Sequence, residues 1–273
     1  MLTEAGVTTG AAGSVAAAGP APFDAAREGA VLAVLPHPDD ESFATGGTLA
    51  LCAAAGVRTM YLCGTYGDMG RRMGRPAFTN REALRDVRTG ELTAACRVLG
   101  CGLRFMGLRD KCIEFEDPAH VAAQVRAVIE EFDPSTVLTY YPGYGVHPDH
   151  DALGQATVLA IRGMPRAARP RLLAVAIGDP ETVRAELGEP HVTADIREVT
   201  DTKLGALRAH RSQTEVMFAS WQADAAKRAQ EAAGTPAPST GAPVDAQSRG
   251  FVERLTQREE YYLLDPDAPT PLE

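Results

Sequence analysis

The segment Gly29-Ala30-Val31-Leu32-Ala33-Val34-Leu35 is apolar at every position and too short for an ordinary helix. A strand with no polar face has to be covered on both sides, as the central strands of a parallel sheet are. Further short apolar runs follow, separated by stretches of helical length. Strands are expected at 29–35, 57–63, 103–108, 136–141 and 172–177, and helices at 45–55, 80–99, 120–132 and 150–162. Gly56 and Gly100 stand where the first two helices should stop. The alternation predicts an α/β fold: a doubly wound, mostly parallel sheet, Rossmann-like, with strand order 3-2-1-4-5 and helices on both faces.

Beyond the fifth strand the pattern gives a strand or loop near 192–196 and helices over 200–209 and 215–232. Residues 233–250 are rich in Pro, Gly, Ser and Ala and read as a mobile connector. Residues 1–27 lack the basic start and apolar stretch of a signal peptide and read as a disordered tail, leaving 28–273 as one domain.

Composition narrows the function. Acidic residues number 36 against 27 Lys and Arg, a formal charge of −9, which argues against nucleic acid as a partner. No apolar run approaches the ~18 residues that would cross a bilayer, so no membrane partner is expected. Five cysteines, none in a C-x-x-C pair, read as reduced thiols of a cytoplasmic protein.

Two segments carry the chemistry. Pro36-His37-Pro38-Asp39-Asp40-Glu41 follows the first strand, and His147-Pro148-Asp149-His150-Asp151 follows the fourth. They hold three of the six histidines. With strand order 3-2-1-4-5, strands one and four are neighbours at the reversal of the sheet, and their loops meet in the crevice where such folds bind ligands. His37 and Asp40 with a histidine of the second segment would make a two-histidine, one-carboxylate site with an open position, a known catalytic zinc set. Asp39, between two ligands, is placed to take a proton from water. His147 would steady an oxyanion or protonate a leaving amine, with Asp149 orienting it or raising its pKa. Two plainer readings stand beside these: Asp40 or Ser42 as a helix cap, and His-x-x-His as a surface pair. The same ligand types also form the triad of Fe(II)-dependent oxygenases, which sit mostly on β-barrels.

These residues resemble the PIG-L/LmbE-like family of zinc-dependent sugar N-deacetylases, whose signatures are P-H-P-D-D-E after strand one and H-P-D-H after strand four. The resemblance covers about residues 29–215. It implies zinc on His37, Asp40 and His150, with Fe²⁺ or Co²⁺ as alternatives. It also implies Asp39 as general base, and His147 as oxyanion stabiliser and acid supported by Asp149. An R-x-x-E pattern, Arg88-Thr89-Gly90-Glu91, implies that Arg88 touches the sugar. The pair Arg109-Asp110 implies that Asp110 bonds sugar hydroxyls, and His210-Arg211-Ser212-Gln213 matches a segment that closes a pocket wall.

The stretches Thr65–Arg71, Leu108–Lys111 and Tyr141–His147 are most similar to the bacillithiol-biosynthesis deacetylases, which act on N-acetylglucosaminyl-malate. That likeness implies a small-molecule amino-sugar substrate and leaves room for a homo-oligomer. Arg71, Arg72 and Arg75 are chemically suited to the malate carboxylates. Tyr144 stands three residues before His147, where some relatives carry a tyrosine two before it, and is a further candidate substrate contact. The same motifs also fit other amino-sugar conjugates: mycothiol-type substrates, thiol S-conjugates and chito-oligosaccharides.

Overall fold

The computed structural model describes residues 19–232 and 255–273. Its eight strands are β1 (Ala21–Pro22), β2 (Ala30–Leu35), β3 (Arg58–Thr65), β4 (Gly102–Leu108), β5 (Thr136–Tyr140), β6 (Arg171–Val175), β7 (Val192–Asp195) and β8 (Arg258–Leu263). The helices are α1 (Asp40–Ala44), α2 (Gly46–Ala54), α3 (Leu84–Leu99), α4 (Pro118–Phe132), α5 (Pro148–Arg162), α6 (Pro180–Leu187), α7 (Thr200–Ala209) and α8 (Arg211–Ala232).

All six residues of β2 are buried, and its alternation divides the core in two. Val31, Ala33 and Leu35 pack with Leu49 and Cys52 of α2, Leu92 and Leu99 of α3 and Ala206 of α7. Leu32 and Val34 face the other way, onto Val121 and Val125 of α4 and Leu153 and Ala156 of α5. Successive side chains of a strand point to opposite faces, so a strand apolar throughout demands helices on both. Truncating Leu32 or Leu153 to alanine at such a site costs about 2–5 kcal/mol.

The five expected strands pair in parallel as β4-β3-β2-β5-β6, which is the order 3-2-1-4-5. β2 and β5 are neighbours, and the chain leaves them toward opposite sides of the sheet, so the crevice lies outside their carboxyl ends.

Beyond β6 the sheet continues in a way the apolar pattern does not reveal. β8 adds antiparallel to β6, β7 antiparallel to β8, and β1 parallel to β7. β7 fills the place expected as strand or loop. β8 escapes a reading of apolar runs because Glu259, on its buried face, is charged. Its carboxylate accepts from Gly47 N (2.7 Å), Thr48 N (2.8 Å) and Lys203 Nζ (2.6 Å), which satisfies the buried charge and closes the N-terminus of α2.

The expected tail over 1–27 lies outside the described residues up to position 18. The rest of it is built into the fold, with Ala21–Pro22 on the sheet edge and Phe23 buried. The connector at 233–250 lies outside the described residues. All five cysteines are free, and among the described residues no helix is long and apolar enough to cross a membrane.

Candidate metal and catalytic site

The chain after β2 is pinned before it reaches the crevice. Tyr61 Oη donates to the carbonyls of His37 (2.5 Å) and Leu35 (3.2 Å), and Thr65 N donates to Pro36 O (2.8 Å). Pro36 and Pro38 restrict the backbone on either side of His37.

Three of the expected ligands converge on one point. His37 Nδ1 lies 3.2 Å from His150 Nε2 and 3.3 Å from Asp40 Oδ2, and His150 Nε2 lies 3.4 Å from Asp40 Oδ1. Donors bound tetrahedrally at the usual zinc distances of about 2.0–2.1 Å stand about 3.3–3.5 Å apart; the pairwise separations are of that size, with Asp40 presenting Oδ2 to His37 and Oδ1 to His150. Ring orientation fits as well. His150 Nδ1 donates to Gly145 O (2.8 Å), which turns the Nε2 lone pair inward. His37 Nε2 faces Asp149 Oδ2 (3.3 Å) and Asp110 Oδ1 (3.4 Å), which leaves Nδ1 for the cluster. Histidine ligands are typically held in this way by a carboxylate or carbonyl behind them.

The field of the site favours positive charge. Burial alone would lower the His37 pKa, but hydrogen bonds with Asp110, Asp149 and Asp40 hold it well above its ordinary value. Burial pushes Asp40 up, yet His150 and His37 bring it well below the usual carboxylate range.

Asp39 sits at φ 119°, in the region that favours glycine. A non-glycine residue there costs of order 1–3 kcal/mol and persists only when its surroundings fix it. Arg88 Nη2 supplies part of that restraint, donating to Pro38 O and lying 3.2 Å from Asp39 Oδ2, while Nη1 donates to Gly67 O (2.8 Å). Asp39 Oδ1 has no partner among the described residues. Burial raises the Asp39 pKa to about 6, against the opposing charge of Arg88.

His147 is the N-cap of α5, and its Nδ1 accepts from Asp149 N (3.1 Å). The neutral ring therefore carries its proton on Nε2. Burial, helped by His37 and His150, lowers its pKa, so it is a neutral donor rather than a stored acid.

Four expectations about placement change. Asp149 raises the His147 pKa by its charge, as expected, but does not orient that ring through its carboxylate: the group is fully buried behind His37, accepting also from Lys111 N (2.7 Å) and Ile113 N (3.0 Å). Arg88 is only 4% exposed and is spent on the Asp39 loop rather than on the sugar. Asp110 is likewise buried, with Oδ2 taken by Met69 N (2.6 Å), so it supports His37 instead of presenting itself to hydroxyls. Tyr144 donates to Glu186 Oε2 (2.9 Å) and is turned toward α6. Arg71 is exposed and makes no hydrogen bond or ion pair to any described residue, whereas Arg72 is committed to Gln213 O (2.6 Å). Glu91 does not pair with Arg88; it accepts from Ser212 N and Oγ (both 2.6 Å) and ties the 210–213 segment to α3.

Tyr140 was not singled out from the sequence. Its hydroxyl donates to Asp40 Oδ1 (2.9 Å) and its ring stacks on His150 at 4.1 Å between centroids. It ends a buried strand that points at the crevice, and that position is the signal that could have found it.

Known proteins are similar to this chain in sequence and in fold. The family model described as GlcNAc-PI de-N-acetylase (PIG-L) matches residues 32–161. A Bacillus cereus protein, named a probable N-acetyl-alpha-D-glucosaminyl L-malate deacetylase 2, is 51% identical over 189 residues, covering 69% of this chain and 85% of that one. A Saccharopolyspora erythraea 1D-myo-inositol 2-acetamido-2-deoxy-alpha-D-glucopyranoside deacetylase 1 is 28% identical over 288 residues, covering 87% and 90%. Among solved structures, the Pyrococcus horikoshii N,N'-diacetylchitobiose deacetylase superposes with a TM-score of 0.64 at 19% identity, over 90% of this chain and 88% of that one.

Proposed function

The chain belongs to the PIG-L family of de-N-acetylases, and on that premise we propose that it hydrolyses the acetamide of N-acetylglucosaminyl-malate, using one zinc ion held by His37, Asp40 and His150. The observation that carries the reading is the meeting of those three side chains at 3.2–3.4 Å with Asp39 beside them. Two nitrogens and a carboxylate suit zinc, and the same set accepts Fe²⁺ or Co²⁺.

The ion supplies Lewis-acid polarisation of the amide carbonyl and makes water more acidic. Asp39 takes the proton of the attacking water on Oδ1, since Oδ2 is engaged by Arg88. With a pKa of about 6 it is mostly ionised near neutral pH, yet basic enough to be useful. His147 Nε2–H donates to the oxygen on which negative charge develops. Asp39 then returns the proton to the departing nitrogen as the C–N bond breaks, giving acetate and a free amine. The lowered pKa of His147, caused by burial, favours Asp39 over His147 as that acid. Arg71, exposed and without a hydrogen bond or ion pair among the described residues, would meet a malate carboxylate.

Acetate release by the zinc-loaded protein should be compared on N-acetylglucosaminyl-malate, N-acetylglucosaminyl-inositol and diacetylchitobiose. The expected result is a kcat/KM at least about tenfold higher for the malate conjugate, a difference of about 1.4 kcal/mol. Equal or better turnover of the inositol conjugate would overturn the malate assignment and leave the deacetylase chemistry standing.

A further inference from the structure

The hydrolytic scheme leaves one buried polar pair without a task. His210 and Glu41 are both fully buried, on segments 169 residues apart in sequence, and His210 Nε2 meets Glu41 Oε1 at 2.7 Å. His210 stands at the joint between α7 and α8, where Gln213 N and Thr214 N both bond its carbonyl (2.9 Å each) and hold its main chain in place. Ser42 Oγ donates to the same Glu41 oxygen (2.5 Å). The other oxygen, Oε2, accepts from the backbone N–H of Asp39 (3.0 Å).

We propose that the Glu41–His210 pair is a positioning device for the general base: His210 fixes the Glu41 carboxylate, which holds the Asp39 backbone in the left-handed conformation that aims its side chain at the reacting water. Asp39 is then held through its amide by Glu41, through its carbonyl by Ser42 N and Phe43 N, and through its carboxylate by Arg88. The two side-chain restraints are complementary: Glu41 holds the amide, while Arg88 holds the carboxylate and the preceding carbonyl of Pro38. A buried carboxylate left without its donors would turn or recruit water, and the Asp39 amide would lose its acceptor. Misplacing a catalytic group by an ångström can cost on the order of a hundredfold in rate. His210 hydrogen-bonds Glu41 and none of the three metal ligands. The inference rests on the assignment of Asp39 as base.

The test uses His210→Leu, which removes the donor, and His210→Gln, which retains one, with kcat, KM and bound zinc measured together. The expected result is a fall in kcat of about ten- to hundredfold for His210→Leu at unchanged KM and full zinc content, with His210→Gln restored to within about threefold of wild type. If His210→Leu does not fold, Ser42→Ala, which removes the second donor to the same oxygen, decides the matter with an expected fall in kcat of a few-fold at constant KM. Wild-type kcat in the deciding variant, zinc loss in step with activity, or a loss that glutamine does not repair would overturn the positioning role. Asp39→Ala separates the two levels. If that variant turns over normally, the base assignment fails and the inference with it; if it is inactive while His210→Leu is normal, only the inference fails.

Discussion

The floor of the crevice and its rim are built differently. On the floor, His37, Asp40, Asp110, Asp149 and Arg88 are all buried, and each is held by at least two partners drawn from other segments. In the outer loops, Arg71 is without a partner among the described residues, the Tyr144 hydroxyl bonds Glu186 on the exposed side of α6, and Val146 is 74% exposed at φ 64°. Fixed geometry suits reaction steps shared by many substrates, and loosely held side chains suit the discrimination that differs between relatives. Substitutions on the floor should therefore act on metal binding and kcat, and those on the rim on KM.

The sharpest contrast should come from His150→Ala. It removes a nitrogen from the cluster and is expected to abolish both zinc binding and turnover, read by metal analysis of the purified protein; full occupancy would take His150 out of the ligand set. Asp39→Ala should follow, with zinc retained and kcat reduced about 10²- to 10⁴-fold, the range for loss of a general base. Near-normal kcat would assign the proton transfer elsewhere. Arg71→Ala is expected to raise KM for the malate conjugate about three- to tenfold while leaving N-acetylglucosamine unaffected, the size of one exposed charge-assisted hydrogen bond. An equal effect on both substrates would erase the distinction between floor and rim at that residue. Tyr144→Phe should change either constant by less than about twofold, because the hydroxyl serves Glu186; a large drop in kcat would mean that Tyr144 turns inward during turnover.

The parallel sheet was legible because its central strand has no polar position, and so was the crevice, because two short motifs follow strands that the expected order makes neighbours. His37, Asp40 and His150 lie within those motifs, and local spacing sufficed to group them. What escaped depends on contacts distant in sequence. Asp149 lies two residues from His147 and reads as its carboxylate partner. The first turn of α5 instead directs its carboxylate toward the loop after β4, where Lys111 N and Ile113 N wait. Arg88 reads as a substrate contact until the Asp39 loop is seen to close over it. β8 stayed hidden because Glu259 is a buried charge whose partners, Lys203 and the α2 amides, lie 56 and 211 or more residues away. Patterns of apolar residues report burial by the hydrophobic effect and are blind to burial by paired charges.

The central claim is that one divalent ion is gripped between His37 Nδ1, Asp40 and His150 Nε2. Anomalous diffraction from crystals of the zinc-loaded protein tests it directly. The expected result is a single strong peak about 2.0–2.2 Å from those three donors. A peak bound by His147 in place of Asp40, or one on the far side of the His37 ring between Nε2, Asp110 and Asp149, would contradict it, since both sets of ligand types also stand close together.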